Sequence, residues 1–109
     1  IAVQSGFNFH SLVASSKGAI EGLTKALAAE FAPKIRVNCI APSITDTPLA
    51  AALLNTEEKK EINAQRHPLK KIGTPDDVAS LATFLLSQNT NWITGQILHV
   101  DGGMSTLKV

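Results

Sequence analysis

Val13-Ala14-Ser15-Ser16-Lys17, running on into Gly18-Ala19-Ile20-Glu21-Gly22-Leu23-Thr24, is the stretch on which the reading of this chain turns. Apolar residues recur behind it at Ala19, Ile20, Leu23, Leu27 and Phe31, a spacing of three to four residues. That period predicts a helix over 18–31 with this stripe as its buried face. Lys17 stands on a small-residue turn at the start of the helix. From there its stem can lie along apolar surface while the ammonium points into a site. The plainer alternative is a solvated surface charge, the usual state of a lysine. Ser11 is placed to cap the helix. Pro33 drives its predecessor out of helical geometry, so the helix should end near Ala32.

Outward from this helix, Ile35-Arg36-Val37-Asn38-Cys39-Ile40-Ala41 carries β-branched residues between Pro33 and Pro42. It reads as a buried strand. A helix leading directly into a strand suits a parallel α/β unit. Pro42-Ser43-Ile44-Thr45-Asp46-Thr47-Pro48 is a loop. Residues 49–54 read as a short helix, and Thr56 to Glu61 starts another, which Pro68 ends, acidic in its first turn and solvated on its charged face. Residues 49–71 thus form a helical excursion between core elements. Thr74-Pro75-Asp76-Asp77 has the residues of a capping box with proline at the first helical position. Val78, Leu81, Ala82 and Leu85 supply the inner stripe of the helix it opens, which should stop near Ser87. Ile97-Leu98-His99-Val100 reads as a short strand and Asp101-Gly102-Gly103 as a turn.

Composition narrows the function classes. The 109 residues suffice for one small domain; 44% are hydrophobic and 17% charged, as in a globular protein. Ten basic residues against nine acidic ones leave a net charge of +1, too little to argue for nucleic acid or an anionic membrane. No apolar run approaches the ~20 residues needed to span a bilayer. The single cysteine, Cys39, suits a reducing, cytoplasmic compartment. One cysteine and three scattered histidines do not make a zinc site, and no Gly-x-Ser-x-Gly elbow is present. The chain opens on Ile1-Ala2-Val3 without a methionine. It offers two or three strands where a complete doubly wound nucleotide-binding domain needs about six. The expectation is a piece of something longer.

Residues 16–24 resemble the catalytic helix of the short-chain dehydrogenase/reductase family, whose motif is Tyr-x-x-x-Lys. In that family the tyrosine exchanges the proton, and the lysine holds the nicotinamide ribose and lowers the tyrosine pKa. Lys17 matches the lysine. The tyrosine position is Val13, and the chain contains no tyrosine. Arg36-Val37-Asn38-Cys39-Ile40-Ala41-Pro42 is similar to the strand leading to the family's Pro-Gly-x-Val-x-Thr cofactor loop. Here that loop reads Pro42-Ser43-Ile44-Thr45-Asp46-Thr47, so Pro42 and Thr47 match while Ser43 and Thr45 depart. Residues 93–103 resemble the family's last strand and the turn after it.

The resemblance implies the C-terminal half of one NAD(P)-binding domain: an α/β fold, part of a Rossmann-type doubly wound parallel sheet. It implies hydride transfer between NAD or NADP and an alcohol/carbonyl substrate. Lys17 would grip the ribose, and Pro42, Thr45 and Thr47 would orient the nicotinamide. The excursion over 49–71 would be a substrate lid, and the helix over 12–31, with Ala26, Ala29 and Thr24 outward, a homo-oligomer interface. The family's Gly-rich phosphate loop and its catalytic serine would lie upstream of Ile1. Thr47 has a competing role as cap of the helix near Pro48. Val13 leaves two readings open, an enzyme and a non-catalytic dinucleotide-binding or oligomer-partner protein of the same fold. His10, three residues before Val13, can stand in as proton donor because a histidine titrates near neutrality, or it is a solvated loop residue. His67 is expected to be exposed and His99 to point outward from its strand.

Overall fold

Two four-residue strands, β1 (Cys39–Pro42) and β2 (Ile97–Val100), pair in parallel, with Cys39 opposite Ile97 and Pro42 opposite Val100. The computed structural model describes residues 1–109. The strand predicted over 35–41 begins only at Cys39; the residues before it are held mainly through side chains, with one backbone bond from the Gly95 N–H to the Val37 carbonyl at 2.7 Å. The Thr94 hydroxyl accepts from the Val37 N–H at 3.1 Å, and Asn38 donates to the Ile93 carbonyl at 3.0 Å. The Asn38 side-chain oxygen accepts from the Gln96 N–H at 3.1 Å. Arg36 donates to the carbonyls of Ile93 and Leu85 at 3.2 and 2.7 Å. Its guanidinium thereby ties the end of a helix to a turn, adding to the bonds that Asn38 makes to Ile93 and the Thr90 hydroxyl to Leu85.

The first helix, α1 (Ser11–Phe31), is longer than its apolar period suggested. His10, not Ser11, holds the cap position, and no side chain bonds there. The inner face also differs from the one predicted. Thr24 and Ala28 are buried and Ala14, Gly18, Glu21 and, from the predicted stripe, Leu27 half-buried, whereas Ile20, Leu23 and Phe31 are 54, 55 and 43% exposed. The cause is size. A row of small side chains lets the helix sit close to its neighbours: a Cβ on Gly95 would stand 3.5 Å from that of Ala28. The buried Thr24 hydroxyl is satisfied by the Ile20 carbonyl at 2.8 Å. Thr24 therefore does not belong to the outward face, whereas Leu23, about 100° round the helix from it, does.

After β1 the chain makes a turn of 3₁₀ helix (Pro48–Ala50), then α2 (Ala51–Leu54) and α3 (Glu57–Gln65). Thr56 caps α3 by accepting from the Lys59 N–H at 3.2 Å. Next comes α4 (Pro75–Leu86), opened by the predicted capping box: Thr74 accepts from the Asp77 N–H, and Asp77 accepts from the Thr74 N–H at 2.8 Å. Leu85 is buried and Val78, Leu81 and Ala82 half-buried, the stripe expected. A short 3₁₀ turn (Gln88–Thr90) leads to β2. Helices between parallel strands make this an α/β fold, part of a Rossmann-type sheet.

The chain leaves much of itself uncovered. Only eight of 109 residues are buried, and the accessible surface is 7763 Å², against about 5,800 Å² for a compact protein of this mass. The radius of gyration is 15.4 Å, against about 13 Å for a compact chain of this length. Leu12, Ile20 and Leu23 on α1 are among the exposed apolar residues, and so are Leu86 at the end of α4 and Trp92 beyond it.

The turn after β2 is tied by Asp101, which is 8% exposed. Its carboxylate accepts from the N–H groups of Gly103 and Ser105 at 2.9 and 3.1 Å, and from the Ser105 hydroxyl. Burial pushes this carboxyl up, but the Ser105 and Gly103 donors, with His99 nearby, outweigh it and hold it below the ordinary 3.8. A group so depressed stabilises the fold above pH 3.8 and loses that contribution as pH falls through its folded value. Asp101→Asn should lower stability at pH 7 by roughly 1–3 kcal/mol, with the gap to the natural protein closing in acid. Urea unfolding at neutral and acid pH measures both.

Candidate functional site

Parallel pairing brings the C-terminal ends of β1 and β2 side by side, where open α/β sheets place their ligands. A cleft of about 860 Å³ opens there, between α1, the loop after β1 and the start of α4. Lys17, His10, Pro42, Thr45 and Thr47 all line it. Five residues chosen from sequence thus border one cleft. Val13, one helical turn before Lys17, is 40% exposed and is not part of that lining.

Lys17 enters no ion pair, and the cleft lining contains no aspartate or glutamate. A free ammonium in an acid-free wall favours an anionic ligand. Thr47 holds the cap position of the turn at Pro48, in extended conformation, yet its side chain makes no capping bond. Its hydroxyl is accordingly not used up by the competing role. Thr45 is turned inward: its hydroxyl donates to the Ser43 carbonyl at 3.1 Å. The loop is pinned from behind by Gly73, which accepts from the Asp46 N–H at 2.9 Å and donates to the Ile44 carbonyl at 3.2 Å. A Cβ on Gly73 would crowd the Thr45 hydroxyl at 3.3 Å, so the absence of a side chain permits this approach. Ser43 is not among the non-glycine residues with positive φ, which are Phe9 and Lys70. The serine therefore occupies the family's glycine position without backbone strain.

His10 is held in one orientation. Its Nδ1 donates to the Asn8 carbonyl at 2.7 Å, and its ring lies 5.7 Å from that of Phe7. With Nδ1 committed to a carbonyl, Nε2 is the nitrogen free to exchange a proton.

The structure corrects the expectation for His67, which is 3% exposed. Its Nδ1 donates to the Asn63 carbonyl at 2.8 Å, so in the neutral ring Nε2 accepts from the Ser43 hydroxyl, also at 2.8 Å. This bond joins the end of α3 to the loop after β1. The ring packs beneath Gly102, where a Cβ would stand 3.4 Å from that of His67. A charged-looking segment before a proline concealed it; the serine in place of a glycine was the available signal. His99 is half-buried and does not point freely outward. The Gln4 amide nitrogen lies 3.0 Å from its Nε2, while its buried Nδ1 faces Asp101 at 3.9 Å without a hydrogen bond.

A second pocket of about 360 Å³ adjoins the cleft and shares His10, Ser43, Ile44 and Leu53 with it. Arg66 lines this pocket but not the cleft and was not singled out from sequence.

A parallel α/β pair with a lysine-bearing, acid-free cleft at its strand ends has the architecture of the doubly wound α/β class. Residues 1–105 match the family model described as enoyl-(acyl carrier protein) reductase, and the chain belongs to the short-chain dehydrogenase/reductase family. It is 46% identical over 97 residues to a tropinone reductase homolog of Datura stramonium, an alignment covering 85% of this chain and 36% of that protein. A short-chain dehydrogenase/reductase (glucose/ribitol dehydrogenase) from Brucella melitensis superposes with a TM-score of 0.87 at 34% identity, over 98% of this chain and 43% of the other. ElxO with NADP bound superposes with a TM-score of 0.84 at 39% identity, over 94% and 42%. The chain thus spans a little over a third of the curated relative it matches. No helix is long and apolar enough to cross a membrane.

Proposed function

We propose that these residues form the C-terminal half of a single NAD(P)-binding domain in a cytoplasmic oxidoreductase acting on an alcohol/carbonyl pair. The observation that carries the reading is the convergence of Lys17, His10, Pro42, Thr45 and Thr47 on one acid-free cleft. The residues fit a dinucleotide: an unpaired ammonium, a free threonine hydroxyl and a loop with no carboxylate facing the ligand. A relative of the same fold with NADP bound supports the cofactor. When bound, NAD or NADP supplies or takes up the hydride. Lys17 holds the ribose. Thr47 and the Pro42 loop, with backbone near Thr45, orient the ring. The segment 49–71 covers the substrate as a lid, and its bond from His67 to Ser43 ties that lid to the loop beneath.

The proton is assigned to His10. Val13 has no group that donates or accepts one, whereas His10 faces the cleft with Nδ1 anchored and Nε2 free. In the reductive direction the imidazolium gives its Nε2 proton to the carbonyl oxygen and is recharged from solvent. The enzyme reading is favoured over the non-catalytic one because a tethered proton donor is available although the tyrosine is absent.

Three results test this reading on the longest natural polypeptide carrying these residues. Lys17→Ala should weaken NAD(P)H binding by roughly tenfold or more, read by nucleotide fluorescence. His10→Ala should reduce turnover by about 10²–10⁴ with nucleotide affinity unchanged, and Val13→Tyr in that background should restore at least about tenfold. A brisk rate indifferent to His10→Ala would remove the histidine from the mechanism. The exposed apolar stripe of α1 is proposed as the contact between copies, so Leu23→Arg should shift sedimentation toward the monomer.

A further inference from the structure

We propose that the substrate carries an anionic group, carboxylate or phosphate, set apart from its carbonyl and held by Arg66. The inference rests on the reductase reading for its carbonyl end and on independent observations for its anionic end.

The chain has two arginines, and they are used differently. Arg36 is consumed by structure, with two bonds to backbone carbonyls. Arg66 enters no ion pair. It follows the last turn of α3, where a cation can answer the helix dipole and bond the last carbonyls. That role belongs to another residue: Lys70 Nζ donates to the Gln65 carbonyl at 3.0 Å. The Arg66 guanidinium is left without a structural partner, on the wall of the pocket that adjoins the cleft.

The pocket suits a small ligand with one charged end. Its volume of about 360 Å³ lies near the lower end of the ~300–1,000 Å³ typical of ligand sites. Phe7, Leu53 and Met104 give it apolar walls, and no aspartate or glutamate lines it. The chain's nine acids are placed elsewhere. Asp46 pairs with Lys60 at 3.2 Å, Asp77 serves the cap of α4, and Glu57 and Glu58 sit in the first turn of α3. The joined groove therefore has Lys17 in one compartment, Arg66 in the other and His10 in both. Lys17 is taken up by the dinucleotide. Arg66 is the remaining cation, and its planar fork matches the paired oxygens of a carboxylate or phosphate. A substrate with its carbonyl at His10 would lay its apolar middle against Leu53 and Phe7 and its anion on Arg66.

The test uses the full natural polypeptide. Calorimetry with glutarate and glycerol 3-phosphate, against dimethyl glutarate and glycerol as neutral counterparts, reads anion binding with and without dinucleotide present. Steady-state rates with 4-oxopentanoate and its methyl ester read the same preference through KM. At least one anion should bind well above its neutral counterpart. Arg66→Gln should cost that anion roughly tenfold or more in affinity and KM, leave the neutral ester and dinucleotide affinity unchanged, and Arg66→Lys should fall between. Selective binding of glutarate identifies the carboxylate, and selective binding of glycerol 3-phosphate the phosphate. Equal binding of anions and neutral counterparts, or anion binding indifferent to Arg66→Gln, overturns the subsite. Loss of dinucleotide binding and turnover in the unsubstituted protein overturns the reductase reading instead, and the calorimetry then judges the anion subsite by itself.

Discussion

Everything at the candidate site depends on the register of β1 against β2. With Pro42 opposite Val100, the loop carrying Ser43 to Thr47 and the turn carrying Asp101 to Gly103 leave the sheet at the same level. The Ser43 N–H continues the ladder by donating to the Val100 carbonyl at 3.2 Å. A slip of one residue would turn every strand side chain to the opposite face. It would also carry Gly102 off His67 and break the bridge from α3 to the loop. The cross-links from Arg36, Val37 and Asn38 to residues 85–96 hold that register before the first strand residue is reached.

Much of this was legible in the sequence where local chemistry decides it. Thr74, Pro75 and Asp77 make a helix start that tertiary context does not alter, and Ile97 to Val100 is bounded by turns on both sides. The family motif around Lys17 and the Pro42 loop named residues that the structure gathers in one cleft. The face of α1 was misread because the chain carries two stripes, one large and apolar, one small. Periodicity registers the large one, whereas close packing selects the small one. His67 was misread for a related reason. Its burial comes from residues 24 and 35 positions away, Ser43 and Gly102, and nothing in its own neighbourhood records them.

The exposed apolar stripes belong to the same account. A family member folds as a wide sheet with helices on both faces, and this chain supplies two strands and the helices beside them. Leu12, Ile20 and Leu23 on one side, and Leu86 and Trp92 on another, are the apolar residues these elements leave exposed. The cleft wall carries one lysine, one histidine and the hydroxyls of Ser43, Thr45 and Thr47.

The cross-links ahead of β1 have a kinetic meaning as well. Cys39 and Ile97 are brought together across 58 positions of sequence, and closing a loop of that length costs roughly 3–4 kcal/mol of chain entropy beyond a constant term. The helices between them, with their own caps, form on local contacts and much faster. Pairing of the strands is the expected slow event, since non-local parallel contacts return energy only after closure. The cleft lies at the ends of those strands, so the binding surface is among the last parts of the molecule to exist during folding. Until then Arg36 and Asn38 are solvated side chains on an open chain.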